Sequence, residues 1–231
     1  MKKINFKDKM LSTLPAHSDL FKGSNEQLIH NMYETVIRVS SLKSPYEQYD
    51  LEEIQKEFTQ EFNGSGPIVQ QFLRMLIQLS GAKRVLEVGS FIGVTTIVMA
   101  EALPDDGEVV TLEKYDYFAS IAQKNFIRNN VSSKIKLIEG DAFISLKQLE
   151  KKDHFDFIFL DGNKERYADY FEMIDPLLRP GGVFIVDDSL FNGDVLNDKR
   201  QTEKGEGVFK FLNTMEMQEN YSKLLLPISN G

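Results

Sequence analysis

Residues 83–96 read Lys-Arg-Val-Leu-Glu-Val-Gly-Ser-Phe-Ile-Gly-Val-Thr-Thr, and the expected fold of the chain follows from them. An apolar, β-branched run ends at Glu87 and Val88, breaks into a loop with glycines at 89 and 93, and leads at once into an apolar helical pattern. A strand, a tight loop and a helix N-terminus in this order are typical of the ligand-binding turn of doubly wound α/β sheets.

The glycine spacing of this loop indicates the kind of ligand. Glu87-x-Gly89-x-x-x-Gly93 differs from Gly-x-Gly-x-x-Gly, in which the second glycine lets the backbone approach a pyrophosphate. A loop without that glycine, and with a carboxylate at the strand end, favours a cationic ligand that carries no phosphate. S-adenosylmethionine is such a ligand. The alternative is an ordinary strand–helix turn whose glycines only permit the geometry.

Composition excludes several classes of protein. The 231 residues fit one α/β domain with a helical extension, and 27 basic against 35 acidic residues give a formal net charge of −8. That charge disfavours nucleic acid and anionic membranes as partners. The absence of cysteine excludes disulfides, thiolate metal sites and a cysteine nucleophile. With no apolar run near the length of about 18 residues that a membrane helix needs, and no signal-peptide core, we expect a cytoplasmic protein.

From residue 84 onward, strand and helix patterns alternate. The predicted strands are 84–88, 108–113, 134–139, 155–160 and 183–187. The predicted helices are one ending before Pro104 and others over 116–129, 142–150, 164–175 and 206–219. Five apolar strands in such an alternation predict a parallel sheet with helices on both faces.

The two ends of the chain carry weaker patterns. Residues 1–23 are polar and predict an arm or lid, and helical stripes follow over 25–40, 51–62 and 67–80. The expected organisation is a single domain over 1–231, with the arm and helices in 1–82 and an α/β core in 83–231. Asn230-Gly231 is a hairpin-turn signal with no strand after it, so we expect either a missing last strand or a loose terminal loop.

A carboxylate lies at or just after the end of every predicted strand. These residues are Glu87, Glu113, Glu139 with Asp141, Asp161, and Asp187 with Asp188. In an open parallel sheet, ligands bind beyond the carboxyl ends of the strands, near the point where the strand order reverses. Glu113 stands where a carboxylate accepts hydrogen bonds from ribose hydroxyls. Single carboxylates of this kind also serve as helix caps and turn formers, but a full set at five strand ends favours a binding site.

Asp161, Asp187 and Asp188 predict a metal site. On adjacent strands these carboxylates would repel one another, and a hard divalent cation relieves that repulsion. All-oxygen ligation favours Mg²⁺, Ca²⁺ or Mn²⁺ over zinc. Without the Asp161 strand beside it, the Asp187-Asp188 pair would more simply be structural.

Lys164 lies three residues after Asp161. Alone, it would be a solvated lysine in the first turn of a helix. Beside a metal site, its ammonium could pair with a developing phenolate or, once deprotonated, take the proton of an acceptor.

In these segments the chain resembles the cation-dependent, class I S-adenosylmethionine O-methyltransferases, the group of caffeoyl-CoA and catechol O-methyltransferases with many bacterial members. The matching segments are 85–93, 139–142, 155–161, 180–182 and 187–193. The resemblance implies a Rossmann-like methyltransferase fold, S-adenosylmethionine and Mg²⁺ (or Ca²⁺ or Mn²⁺) as cofactors, and a homodimer.

The resemblance also implies roles for individual residues. It assigns cofactor binding to Glu87, Gly89, Ser90, Gly93, Thr95, Glu113, Asp141, Ala142 and Asp161. It assigns the metal to Asp161, Asp187 and Asp188, and catalysis to Lys164 with Asp161. The family usually has Asn at the position of Asp188, so a cation here would meet three carboxylates.

The function that these features predict is cation-dependent transfer of a methyl group to a hydroxyl of a small catechol-like aromatic acceptor. Both neighbouring hydroxyls of such an acceptor would coordinate the cation. Two alternatives remain open. One is methylation of a hydroxylated uridine in tRNA, a reaction of the same family that the net charge of −8 disfavours. The other is a non-catalytic protein that binds S-adenosylmethionine.

Overall fold

The computed structural model describes residues 35–36, 38–41, 65–149, 154–228 and 231. The chain divides into two compact units, residues 1–42 and 43–231, and the central sheet belongs to the second. In the first unit, residues 35–36 and 38–39 are helical, within the helix predicted over 25–40. The predicted arm over 1–23 and helix over 51–62 lie outside the described residues. Within the described ranges, every helix is too short or too polar to cross a membrane.

Five parallel strands form the central sheet. They are β1 (Arg84–Val88), β2 (Glu108–Glu113), β3 (Ile135–Glu139), β4 (Phe155–Leu160) and β5 (Leu178–Val186). Their order is β3-β2-β1-β4-β5, with every neighbouring pair parallel. The chain builds outward from β1 in one direction and then returns to add β4 and β5 on the other side. The strand order therefore reverses between β1 and β4, where ligands bind in this class of sheet.

Helices cover both faces of the sheet. They are α1 (Pro67–Ser80), α2 (Val94–Ala102), α3 (Asp116–Arg128), α4 (Ala142–Gln148), α5 (Tyr167–Ile174) and α6 (Glu203–Glu216). One buried cluster joins Phe157 and Phe159 of β4 to the apolar sides of α1, α2 and α3. The other joins Ile158 and Leu160 of the same strand to α4, α5 and α6. Because β4 is apolar in both directions, it packs into two cores, as the uniformly apolar strand patterns predict.

Several element bounds confirm the sequence prediction. Helix α1 begins with Pro67 in its first turn and ends at Gly81, whose left-handed φ of 63° closes the helix. Strands β1, β2 and β4 have the predicted bounds. The predicted helix over 164–175 is a 3-10 turn over Lys164–Arg166 followed by α5, which ends at Ile174 before Pro176.

Two elements begin several residues ahead of their predicted start. Strand β5 begins at Leu178, and the turn predicted over 179–182 is an irregularity inside it: Leu178 pairs with Phe155, whereas Val183 pairs with Phe157. The glycines of this segment looked like a turn, but they allow the strand to bulge and resume. Helix α6 begins at Glu203, ahead of the predicted residue 206, because Thr202 accepts the N–H of Gly205 at 2.9 Å and caps the helix.

The described residues near the end of the chain test the expected hairpin only in part. Residues 217–228, which the structure describes, contain no strand, and Leu224 is 81% exposed. Residues 229–230 lie outside the described part of the chain, so the hairpin signal at Asn230 stays untested.

Candidate functional site

The loop after β1 and the residue after β4 touch at the point where the strand order reverses. The N–H of Asp161 donates to the carbonyl of Val88 at 3.0 Å. Gly89 has a φ of 97°, and a Cβ on it would lie 2.5 Å from the carbonyl oxygen of Asp161. Only glycine satisfies both conditions. The predicted cofactor loop and the predicted metal residue Asp161 therefore share one backbone contact.

Glu113, at the end of β2, braces the loop over 89–93. Its Oε2 accepts the N–H of Phe91 at 2.7 Å, and its Oε1 accepts the N–H of Tyr115 at 2.9 Å. Burial raises the pKa of this carboxyl. Each oxygen keeps a lone pair, so the carboxylate can still accept hydrogen bonds from a ribose while it fixes the loop.

Gly93 joins the loop to α2 and to the face of α3. Its φ is 85°, and a Cβ on it would collide with the ring of Phe126. The side chain of Asn125 donates to the carbonyl of Ile92 at 2.9 Å. Sequence reasoning missed Asn125, which looked like an ordinary helix residue and whose role depends on how α3 meets the loop.

Glu87 lies inside the protein and does not face the opening above the sheet. The side chain is fully buried, and its carboxylate accepts hydrogen bonds from the hydroxyls of Thr95 at 2.5 Å, Thr111 at 2.6 Å and Thr96. Burial raises the pKa of Glu87 to about 7, although the three hydroxyls work in the other direction. Glu87, one of the predicted cofactor residues, therefore lies behind Thr95 in the structure.

The other predicted cofactor residues leave polar groups and space for a ligand. The hydroxyl of Ser90 is buried and has no hydrogen-bond partner among the described residues. At Gly140, with a φ of 121°, an added Cβ would meet nothing within 4 Å. Asp141 caps α4 by accepting the N–H of Phe143 at 2.9 Å, which places Ala142 as the first helical residue. An unsatisfied hydroxyl and an open loop beside the strand ends fit a nucleoside cofactor.

Lys164 lies between two of the predicted metal ligands. Its Nζ is 2.5 Å from Oδ1 of Asp161 and 3.0 Å from Oδ2 of Asp188. Burial lowers the pKa of Lys164, but the two carboxylates outweigh burial and raise it. Burial, with the charges of Asp187 and Asp188 adding to it, raises the pKa of Asp161 to about 7 despite the lysine. The Lys164 ammonium is thus the positive charge that pairs with the carboxylates of Asp161 and Asp188.

Asp187 is held by different partners. Its Oδ2 accepts the hydroxyl of Ser65 at 2.7 Å, and its Oδ1 accepts the N–H of Asp188 at 2.9 Å. Gln70 in turn donates to the carbonyl of Ser65 at 2.7 Å. Burial raises the pKa of Asp187. Sequence reasoning missed Ser65 and Gln70, since only the packing of α1 beside the end of β5 brings them to this carboxylate.

The three aspartates suit a hard cation by their chemistry but do not form an open site for it. Among the described residues, no three acidic or histidine side chains are grouped so that they could hold a metal ion. Lys164 stands between Asp161 and Asp188, and Ser65 takes one oxygen of Asp187. A cation could enter this donor set once the lysine withdraws.

The segment after Asp188 bends sharply. Asp188, Phe191 and Asn192 have left-handed φ values of 59°, 40° and 52°. Asp194 then anchors the following loop by accepting the N–H of Gln201 and the hydroxyl of Thr202, each at 2.8 Å. Left-handed residues other than glycine store strain, which concentrates at ligand sites.

Helix α6 packs directly against the turn that carries Lys164. A Cβ on Gly207 would collide with the Cα of Glu165. A glycine in the interior of a helix weakens it, so its value here is the close approach that it allows. This contact fixes the backbone beneath Lys164.

The chain is similar to known proteins over most of its length. Residues 42–231 match the family model described as O-methyltransferase. The chain is 38% identical over 143 residues to the catechol O-methyltransferase of Niastella koreensis, a match that covers 61% of this chain and 65% of that protein. It is 32% identical over 201 residues to caffeoyl-CoA O-methyltransferase 1 of Eucalyptus globulus, covering 80% of each.

A solved structure is also similar. The O-methyltransferase from Bacillus cereus in complex with S-adenosylhomocysteine is 31% identical, with a TM-score of 0.73, over 82% of this chain and 86% of that one. The fold, the strand-end residues and the family match over residues 42–231 lead to one conclusion. The chain belongs to the O-methyltransferase family.

Proposed function

We propose that this protein transfers a methyl group from S-adenosylmethionine to a hydroxyl of a small catechol-like acceptor, with a divalent cation at the three aspartates. One observation carries the proposal: Gly89 of the cofactor loop contacts Asp161, which itself pairs with Lys164 at 2.5 Å. The methyl donor and the acceptor hydroxyl would then meet between the carboxyl ends of β1 and β4. Relatives named for catechol and caffeoyl-CoA support the acceptor class.

Lys164 and Asp161 supply the chain's own acid–base groups. Lys164 carries a charge at neutral pH because its pKa is raised, so it can donate a hydrogen bond to an acceptor oxygen and stabilise a phenolate. Asp161 holds this ammonium in place, since its Oδ1 lies 2.5 Å from Nζ of Lys164. Methyl transfer itself needs the two reacting groups to be held in line and little more.

Asp161, Asp187 and Asp188 would hold the cation. When bound there, a divalent cation lowers the pKa of a coordinated hydroxyl and orients it. Lys164 pairs with Asp161 and Asp188 and must first release them. Cation and lysine therefore compete for the same carboxylates.

The experiment has a binding arm and a turnover arm. Calorimetry without metal should show binding of S-adenosylhomocysteine, and methylation of a panel of catechols should stop with EDTA and return with Mg²⁺. Absence of binding at saturating ligand would exclude the cofactor, while EDTA-resistant turnover would exclude the cation.

A second candidate is a non-catalytic protein that binds S-adenosylmethionine. The position of Lys164, which closes the set of carboxylates, favours it. Binding without turnover of any catechol in Mg²⁺, Mn²⁺ or Ca²⁺ would support this candidate. Turnover of tRNA instead of catechols would support the tRNA alternative. The homodimer stays a prediction that sedimentation can test.

A further inference from the structure

Asp187 and Asp188 both lie close to Asp161, although they are neighbours in the chain. In a strand, two successive side chains point to opposite faces of the sheet. Lys164 nevertheless bridges Asp161 and Asp188. Burial raises the pKa of Asp161, and the charges of both Asp187 and Asp188 add to that shift. The two carboxylates come together because β5 ends at Val186 and the backbone turns at Asp188, which has a left-handed φ of 59°.

The peptide between these two aspartates is held on both sides. Its N–H, which belongs to Asp188, donates to Oδ1 of Asp187 at 2.9 Å. Its carbonyl, which belongs to Asp187, accepts the hydroxyl of Tyr167 at 3.1 Å. A left-handed residue other than glycine persists only where its surroundings hold it. Two hydrogen bonds to one peptide supply such a hold, and Tyr167 provides the one that comes from outside the turn.

Tyr167 presents its hydroxyl from a rigid position. It is the first residue of α5, it has no exposed surface, and its ring packs edge-on against Phe211 of α6 with the ring centres 5.8 Å apart. Burial raises the pKa of Tyr167 well above its ordinary value, and the charges of the three aspartates add to this effect. The phenol therefore keeps its hydrogen and remains a donor to the carbonyl of Asp187.

Lys164 and Tyr167, three residues apart, contact the aspartates in different ways. Lys164 pairs with the carboxylate of Asp188, so under the proposed function it gives way to a cation. Tyr167 contacts the backbone of Asp187 and occupies no carboxylate oxygen. Its contact can therefore stay in place when the lysine withdraws.

We infer that Tyr167 is a positioning residue that holds the peptide between Asp187 and Asp188 and thereby keeps both carboxylates turned toward Asp161 for a divalent cation. The inference rests on the proposed function, which assigns the cation to these aspartates. Tyr167 acts through the backbone, without touching the cation or the reacting groups.

Tyr167→Phe tests this role, because it keeps the ring and removes only the hydroxyl. Mn²⁺ binding, measured by calorimetry, should weaken by about tenfold, as is common when a hydrogen bond that orients a metal ligand is lost. Binding of S-adenosylhomocysteine without metal should not change. Tyr170→Phe is the matched control and should bind Mn²⁺ as the wild type does, because Tyr170 is a buried tyrosine of the same helix whose ring stacks on Phe143.

A second background separates the backbone contact from an effect on the lysine. Tyr167→Phe should weaken Mn²⁺ binding by the same factor in Lys164→Met as in the wild type. A loss that disappears in Lys164→Met would mean that Tyr167 acts through the lysine, and would overturn the inference. Equal weakening of Mn²⁺ and S-adenosylhomocysteine in Tyr167→Phe would mean a purely structural role and would overturn it as well.

A measurement on the wild type serves if Tyr167→Phe does not fold. Nuclear magnetic resonance should show a slowly exchanging hydroxyl proton for Tyr167, and this signal should persist when Mg²⁺ is added. Loss of the signal with Mg²⁺ would overturn the inference. Failure of the wild type to bind Mn²⁺ would overturn the cation of the proposed function together with the inference, whereas normal wild-type binding with unchanged affinity in Tyr167→Phe would overturn the inference alone.

Discussion

Lys164 contributes one positive charge to a group that otherwise contains only carboxylates. Two unit charges about 4 Å apart interact by about 4 kcal/mol at an effective dielectric constant of about 20, so the lysine offsets part of the cost of burying Asp161 and Asp188 as anions. The same charge opposes a divalent cation that seeks these oxygens. In its proposed role the lysine is therefore an aid to the acceptor hydroxyl and an obstacle to the metal.

Lys164→Met should separate these two effects. Mn²⁺ binding, measured by calorimetry, should tighten by about tenfold or more because three carboxylates lose their counter-charge. Turnover of catechols should fall by about 10²–10⁴-fold because an acid–base group is lost. Lys147→Met removes an exposed lysine of α4 and should change neither quantity. Weaker Mn²⁺ binding in Lys164→Met would show that the lysine does not compete with the cation.

Glu87 should make the stability of the fold depend on pH. Burial raises its pKa in the folded chain from 4.5 to about 7. The folded state thus prefers the protonated carboxyl, so the contribution of Glu87 is fully present below pH 4.5 and is lost as the pH rises through about 7. The loss amounts to about 3 kcal/mol of unfolding free energy.

Glu87→Gln should remove this dependence. Urea unfolding of both proteins near pH 5 and near pH 8 measures the difference between their unfolding free energies. The variant should become more stable relative to the wild type at the higher pH. Other titrating groups cancel because both proteins contain them. A difference that stays constant with pH would contradict the raised pKa.

Ser65, just ahead of helix α1, donates its hydroxyl to Asp187, just after strand β5, and so links the two elements. A hydrogen bond to a metal-binding carboxylate orients it, and loss of such a bond commonly weakens metal binding by about 10–100-fold. Ser65→Ala should therefore weaken Mn²⁺ binding by about tenfold. Binding of S-adenosylhomocysteine without metal should not change. Ser65→Thr keeps the hydroxyl and should behave as the wild type. Unchanged Mn²⁺ affinity in Ser65→Ala would show that Ser65 does not orient Asp187 for metal binding.

The helices and strands that were predicted well are those whose signals are local. Pro67 and Gly81 mark the ends of α1 by their backbone preferences, and β1 is bounded by its apolar run. The start of β5 was missed because residues 179–182 carry the residues of a turn while the sheet continues through them. Pairing with β4 decides that strand, and no local pattern records it.

The candidate site divides in the same way. Carboxylates at the strand ends could be predicted, because parallel strands bring their carboxyl ends to one edge of the sheet. Their partners could not. Ser65 lies 122 residues from Asp187 and Thr111 lies 24 from Glu87, so only the folded chain brings them together. Glu87 is also buried among three threonine hydroxyls, which its motif alone could not reveal.

Asp156 lies near the amino end of β4, at the opposite end of the strands from the candidate site, and links neighbouring segments there. Its Oδ2 accepts the N–H groups of Lys83 and Arg84 at 2.8 Å each, and its Oδ1 accepts the guanidinium of Arg179 at 2.5 Å. Burial raises the pKa of Asp156, but these donors outweigh burial and lower it. Its stabilising contribution is thus present above the ordinary pKa of 3.8 and is lost as the pH falls.

Asp156→Ala should lower the stability of the protein and leave its ligand binding intact. The loss should be about 1–3 kcal/mol in urea unfolding at neutral pH, because three donors lose their acceptor. S-adenosylhomocysteine should bind the folded variant as it binds the wild type. Asp106→Ala, at an exposed carboxylate that pairs with Lys83, is the control and should leave the unfolding free energy close to the wild-type value. Altered cofactor affinity in Asp156→Ala would show that the amino ends of the strands are coupled to the candidate site at their carboxyl ends.

The contact between Gly89 and the backbone of Asp161 limits how such a protein can diversify. A Cβ at position 89 would lie 2.5 Å from that carbonyl oxygen, so neither the loop nor the end of β4 can shift without moving the other. Under the proposed function, a mutation that moves the end of β4 on the acceptor side therefore also moves the cofactor loop on the donor side. New acceptors would then be gained more readily by exchanging residues 189–202, which follow the three aspartates in the chain, than by changing the contact between Gly89 and Asp161.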